Sequence, residues 1–189
     1  MKKLLISSLF VFISFSANAQ WQLSESGSTV KFVSIKNSTV AEVHTFKGLS
    51  GAINKGIATV DIKLASVETN IPIRNDRMRT MLFEVANFSV ASISTKAMLG
   101  QLDKMKNGDK VQSKVDLDVK LHGVTKVMSA DIQVVKLNDS EILVSSISPL
   151  ILRAEDFNLS NGVDALRDIA KLTSISTAVP VTFNLVFTK

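Results

Sequence analysis

The sequence predicts an all-β protein, an antiparallel barrel or sandwich of about eight strands with one or two short helices. Apolar residues alternate with polar ones in run after run, as they do in strands that bury one face. Short connections marked by Gly and Asn separate these runs, which favours antiparallel pairing over a parallel α/β sheet. Helical spacing of apolar residues occurs in two short segments, near residues 75–85 and 163–172.

The N-terminal residues have the pattern of a secretory signal peptide. Two lysines precede an apolar stretch over residues 4–16, and Ala17-Asn18-Ala19 fits the small-x-small cleavage rule, so the mature chain is expected to begin at Gln20. A membrane anchor is the alternative, but a helix over residues 4–16 would be about 20 Å long, short of a hydrocarbon core of roughly 30 Å. Residues 1–19 are therefore predicted to be removed, and residues 20–189 to form a single domain.

The composition restricts the cellular compartment and the classes of partner. The chain has no cysteine, and an exported protein without disulfides fits a bacterial periplasm better than a eukaryotic extracellular space. The formal net charge of +5 is spread along the chain, with one Trp and no Tyr, so a nucleic-acid surface is not expected. An outer-membrane barrel would need aromatic girdles, which these counts do not allow.

Strand patterns fill the first part of the mature chain. Trp21 and Leu23 open it, and Val30, Phe32 and Ser34 share one face of the following run. Further strands are predicted over residues 39–47, 49–54 and 58–65.

A short helix interrupts the strands. Met78, Met81, Leu82 and Val85 have helical spacing, and Asn75 or Asp76 is the predicted N-cap. A further strand is predicted over residues 88–98.

The clearest strand pair is the hairpin over residues 115–134. Apolar residues alternate with charged ones over residues 115–122, and the alternation resumes over residues 128–134. His122 and Gly123 interrupt the run as a turn would. The pattern gives the hairpin one apolar face and one polar face.

The C-terminal part combines two strands and a second helix. An alternating run covers residues 142–152, where Pro149 predicts an edge strand or a bulge. An exposed edge also allows a homodimer. Asn161-Gly162 is predicted to break the chain before a helix over residues 163–172, and the last strand covers residues 179–187.

The sequence contains little that indicates catalysis. His44 and His122 are the only histidines, and no metal-binding, serine-hydrolase or nucleotide-binding motif is present, so neither an enzyme nor a metal site is expected. Three arginines, Arg74, Arg77 and Arg79, lie close together in the first helix. They form either a solvated helix face or a basic rim around an apolar opening, suited to phosphate, carboxylate or carbonyl groups.

Four segments together resemble the YceI-like family of exported, lipid-binding barrels. They are WQLSESGSTVKF, VHTFKGLSGAI, VETNIPIRNDRMRTMLFEV and VDLDVKLHGVTKVM, and the resemblance covers most of residues 21–135. On this alignment Thr69, Arg74, Met78 and Phe83 take the family's positions. Departures are Asn75, where the family usually has Asp, Asn87-Phe88-Ser89 in place of Tyr-Pro, and Asp156-Phe157-Asn158 in place of Asp-Phe-Gly.

The resemblance implies a lipocalin-like barrel that holds a long apolar chain, such as a polyisoprenoid, a quinone or a fatty-acid derivative, without cofactor, enzymatic activity or membrane span. Burial of each methylene would contribute about 0.8 kcal/mol to binding. Arg74 is the candidate polar contact at the opening. The candidate lining residues are Phe32, Phe46, Leu64, Met78, Phe83, Leu117, Val119, Leu121, Phe183 and Leu185.

The leading hypothesis is therefore a periplasmic binding or carrier protein for such a lipid. The alternative is a non-enzymatic structural, interaction or stress protein whose barrel is filled by its own side chains. Phe32, Phe46 and Phe183 are large enough to close a barrel interior, so the volume of the interior distinguishes the two hypotheses.

Overall fold

The computed structural model of the chain describes residues 21–97 and 99–189. The predicted signal peptide lies outside these residues. The described strands form one sheet. They are β1 (Trp21–Leu23), β2 (Thr29–Lys36), β3 (Val40–Phe46), β4 (Leu49–Asn54), β5 (Ile57–Lys63), β6 (Val67–Glu68), β7 (Val90–Lys96), β8 (Lys110–Leu121), β9 (Val124–Asn138), β10 (Glu141–Ser146), β11 (Leu150–Arg153) and β12 (Ala178–Thr188).

The sheet closes into a barrel because the last strand returns to the first. β12 pairs on one side with β1 and β2 and on the other with β10 and β11, while β1 also pairs with β4. β3 and β4 are two halves of one barrel strand, and β6 and β5 pair with them in turn. Counted in this way, eight antiparallel strands surround the interior, so the predicted lipocalin-like barrel is confirmed and the sandwich is wrong.

The hairpin that the sequence indicates most clearly joins β8 to β9. Leu117 faces Met128 and Leu121 faces Val124, in one unbroken register. His122 and Gly123 both have positive φ, +50° and +80°, which is the geometry of a type I′ turn. The buried residues of β8 point into the barrel and the charged ones point to solvent.

Three helices are described: α1 (Pro72–Arg77), α2 (Leu99–Leu102) and α3 (Ser160–Ile169). The prediction that the first helix is capped by Asn75 or Asp76 is wrong. The helix begins at Pro72, because proline lacks the N–H that the first helical position leaves unpaired. It continues as a π-helical turn over Met78–Leu82.

The predicted chain break at Asn161-Gly162 is also wrong, since both residues lie inside α3. Gly162 is a close-approach position: a Cβ there would lie 2.7 Å from the Met81 carbonyl oxygen and 2.8 Å from Leu82 Cα. The glycine therefore lets α3 pack directly on the π-helical turn.

The break at Pro149 agrees with the prediction of a bulged or edge strand. The run over residues 142–152 divides into β10, which pairs with β9 and β12, and β11, which pairs with β12. Ile147, between them, donates its N–H to the Asp131 carbonyl oxygen at 2.8 Å. In residues 21–97 and 99–189, no helix is long and apolar enough to cross a bilayer.

Candidate functional site

The barrel interior contains a cavity of about 580 Å³. This volume lies within the range of roughly 300–1,000 Å³ that is typical of small-molecule sites. Apolar side chains that alternate inward along the barrel strands form most of its wall. The period of two in the sequence is therefore the feature that builds the site.

The structure places every sequence-predicted site residue on the wall of this one cavity. Contact of these side chains with a ligand stays a prediction. They are Phe32, Phe46, Leu64, Arg74, Met78, Phe83, Leu117, Val119, Leu121, Phe183 and Leu185.

Aromatic rings in contact with one another line one side of the cavity. The ring centroids of Phe32 and Phe46 are 5.4 Å apart, and those of Phe46 and Phe83 are 5.7 Å apart. Phe32 also lies 5.1 Å from the ring of His44. These tilted contacts are the arrangement that aromatic rings prefer, and they fix the shape of this side of the wall.

A polar cluster, formed by Ser34, Lys36, Glu42, His44 and Arg74, interrupts the apolar wall at the end of the barrel where β2 meets β3. One Glu42 carboxylate oxygen accepts from Lys36 Nζ at 2.8 Å and from Arg74 Nη1 at 2.7 Å. The hydrogen bond from Lys36, and the positive charge of Arg74 beside it, lower the pKa of Glu42. The three groups leave one net positive charge at this end of the cavity.

The most buried member of the polar cluster is His44, which is 2% exposed. Its Nε2 lies 2.9 Å from the Ser34 hydroxyl. Burial lowers the pKa of His44, and the nearby charge of Arg74 lowers it further, so the imidazole is neutral at neutral pH. Within the described part of the chain, His44 Nδ1 and Arg74 Nε are buried without a hydrogen-bond partner.

The position of Arg74 is fixed from behind by the segment before α1. Arg74 Nη2 donates to the Thr69 carbonyl oxygen at 2.6 Å. Thr69 is buried, and its N–H and hydroxyl both donate to Asn75 Oδ1, at 2.9 and 2.6 Å. Asn75 Nδ2 in turn donates to Glu68, and this bond, with those from Lys47 and a backbone N–H, lowers the pKa of Glu68 to about 2.

The arginines of the first helix therefore separate into two groups. Arg74 and Arg77 line the cavity, whereas Arg79 donates to the Ala65 carbonyl oxygen and to Asp76, each at 2.8 Å. Two of the side chains border the apolar interior and one fastens the helix to the barrel, and a role of the arginines in binding a head group stays a prediction.

The family model of the YceI-like domain matches residues 21–187. The chain belongs to the YceI-like family. The comparison with curated proteins found no match.

Solved structures also resemble this YceI-like chain. A polyisoprenoid binding domain from Saccharophagus degradans, implicated in plant cell wall breakdown, is 38% identical with a TM-score of 0.87, over 89% of this chain and 97% of that one. Burkholderia cenocepacia BcnA is 19% identical with a TM-score of 0.64, over 87% and 98%. Campylobacter jejuni YceI protein is 16% identical with a TM-score of 0.58, over 100% and 99%. The last two show the fold alone.

The two histidines of this YceI-like chain have different roles. His44 belongs to the cavity, whereas the ring of His122 packs against Phe88 in a tilted contact, 4.2 Å between centroids, with Nε2 3.5 Å from a Glu84 oxygen. Gly123 is tied to the same contact, since a Cβ there would lie 3.0 Å from the Phe88 ring. The HGVTK segment thus fastens the β8–β9 turn to the chain that follows the π-helical turn.

Sequence reasoning missed Ser34, Lys36, Glu42 and His44 as site residues. The alternation of residues along β2 and β3 nevertheless indicated that these four side chains point inward. Ser34 and Lys36 continue the inward positions of Phe32, and Glu42 and His44 precede Phe46 at steps of two. Polar residues at inward positions mark a place where a sheet face is not only a core.

Proposed function

We propose that the protein binds one long-chain lipid inside the barrel and carries it through the periplasm. A polyisoprenoid, a quinone or a fatty-acid derivative would suit the site. The observation that supports this most strongly is an apolar cavity of about 580 Å³ that ends at a polar cluster. Such a cavity matches a ligand with a long apolar tail and an oxygen-bearing head group.

Two further observations support the proposal. The 38% identical structure is that of a polyisoprenoid binding domain. The basic residues and apolar stretch at the N-terminus of the sequence predict export. We propose binding rather than catalysis, because the chain belongs to the YceI-like family and a 38% identical structure is that of a polyisoprenoid binding domain.

The tail of the ligand would lie among the apolar lining residues. Each methylene removed from water contributes about 0.8 kcal/mol, so a tail of ten methylenes could contribute about 8 kcal/mol before the cost of ordering it. Phe32, Phe46 and Phe183 line the cavity without filling it. The open volume therefore favours a binding protein over a structural protein with a filled barrel.

The head group would lie at the polar cluster and accept hydrogen bonds. We assign the ring proton of His44 to Nδ1: Nε2 then accepts from the Ser34 hydroxyl, and Nδ1 is a donor. Arg74 Nε is a second donor without a partner in the described residues. Buried donors without partners are costly, and a ligand oxygen would satisfy them.

The experiment compares three ligands that share a C20 tail: phytane, geranylgeraniol and geranylgeranyl phosphate. The delipidated mature protein is titrated with each, and binding is followed by displacement of a fluorescent fatty acid. All three should compete, and the two oxygen-bearing ligands should bind about tenfold or more tightly than phytane, as one to two hydrogen bonds require.

Variants separate the tail from the head group. Arg74→Met and His44→Phe should reduce the preference for the oxygen-bearing ligands, whereas Arg79→Met, on the same helix but outside the cavity, should keep it. Failure of all three ligands to bind would contradict the proposed function. Equal binding of all three would contradict the head-group contact only.

A further inference from the structure

Exposed apolar side chains border the cavity at one end of the barrel. In the part of the chain that the structure describes, three large apolar residues, Ile71, Ile73 and Ile169, both line the cavity and are exposed to solvent. They lie where α1 and the end of α3 approach the β2–β3 turn, and Asn37 in that turn donates its N–H to the Ser174 carbonyl oxygen at 2.9 Å. We call this end of the barrel the mouth.

The mouth is both apolar and basic. Ile73 is 57% exposed, and Val40, which begins β3 after the β2–β3 turn, is also exposed and does not line the cavity. Charged residues that line the cavity here are four cations and one anion: Lys36, Arg74, Arg77, Arg153 and Glu42.

Nearby acidic groups cancel only part of this charge. Asp76 is paired with Arg79, Glu155 lies 3.9 Å from Arg153, and Asp164 and Asp168 share Arg167. Exposed Lys171, two residues after Ile169, adds another positive charge, and a net positive charge remains at the mouth. Apolar side chains surrounded by basic ones are the combination that binds an anionic lipid surface.

We propose that the mouth docks on the surface of a bilayer that contains anionic phospholipid. Val40, Ile71, Ile73 and Ile169 enter the interface, while the basic side chains contact the head groups. The inference rests on the proposed function for its purpose: each methylene exposed to water lowers the population of a free lipid about fourfold. A mouth placed against the bilayer lets the tail enter the cavity without crossing water.

The experiment measures co-sedimentation of the mature protein with extruded vesicles. Binding is expected to vesicles of phosphatidylethanolamine and phosphatidylglycerol, to weaken in high salt, and to be at least tenfold weaker with phosphatidylcholine alone. Ile73→Asp should reduce binding to the anionic vesicles about tenfold or more, and Val40→Asp should also reduce it.

Ile57→Asp is the matched control. Ile57 is 51% exposed, begins β5 after the β4–β5 turn at the opposite end of the barrel, and does not line the cavity. This variant should sediment as the wild type does. Equal sedimentation of the Ile73→Asp and Ile57→Asp variants, or no binding of the wild type to anionic vesicles, would overturn the proposal.

A vesicle-free titration separates docking from lipid binding. Geranylgeraniol delivered from cyclodextrin should bind the wild type and the Val40→Asp variant equally, because Val40 lies outside the cavity. Vesicle binding without geranylgeraniol binding would retain docking and contradict the proposed function. Geranylgeraniol binding without vesicle binding would retain the proposed function and contradict docking.

Discussion

Val119→Phe tests whether the barrel is hollow. Val119 is buried, faces inward near the turn of the β8–β9 hairpin and lines the cavity. In a filled core, the larger side chain would force its neighbours apart and lower the free energy of unfolding by about 1–3 kcal/mol. In a cavity of about 580 Å³ the ring has room, so the ligand-free variant should be as stable as the wild type or slightly more stable.

The same substitution should weaken binding by an amount that follows from its size. Phenylalanine has about four more side-chain carbons than valine, and a ring that displaces about four methylenes removes about 3 kcal/mol of burial. That free energy corresponds to a roughly 100-fold increase in Kd.

Two measurements on the delipidated protein decide the outcome. Urea unfolding gives the free energy of unfolding, and displacement of a fluorescent fatty acid by geranylgeraniol gives the affinity. Val127→Phe is the control, because Val127 faces outward on β9 opposite Asp118 and is 69% exposed. A Val119→Phe variant that is destabilised by about 1–3 kcal/mol, with unchanged affinity, would refute the hollow barrel.

Three further outcomes are expected in urea unfolding. Burial holds the pKa of His44 below 6.5, so the stability supplied by the neutral imidazole is present above pH 6.5 and lost as the pH falls below it. The pKa of Glu42 is held below 4.5, so the stability that its carboxylate supplies is lost at still lower pH. His44→Gln should remove only the loss of stability below pH 6.5. A pH profile of stability identical to that of the wild type would contradict this. Gly51→Ala should lower the free energy of unfolding by about 2 kcal/mol or more, because its Cβ would collide with a carbonyl oxygen of the facing strand. Gly100→Ala is the control and should have little effect, because a Cβ there would lie in open space. Asn75→Ala should cost about 1–3 kcal/mol because it leaves a buried backbone N–H unpaired, and a wild-type unfolding midpoint would show that this contact is dispensable.

The alternation of apolar and polar residues predicted the barrel and its lining residues, because the burial of one sheet face depends only on local sequence. Leu117, Val119 and Leu121 could be placed on one face without any knowledge of their partners. Barrel closure depends on contacts between distant segments, such as the pairing of Gln22 with Thr188, and alternation alone left a sandwich possible.

The rest of the site depends on close approaches that single residues do not reveal. Gly162 resembles a chain break in sequence, and its helical role becomes clear only with the π-helical turn packed against it. The alternation places Glu42 and Lys36 inward, but their contact with Arg74, from a different element, could not be predicted from it. Tertiary packing, not local propensity, decided these positions.

Native mass spectrometry of the protein, isolated from its native cells without detergent, tests lipid binding most directly. We expect the protein to carry one long-chain lipid per chain, and organic extraction to abolish the added mass and to recover the lipid. A protein that is ligand-free as isolated, with no thermal shift on addition of geranylgeraniol or a fatty amide, would contradict it.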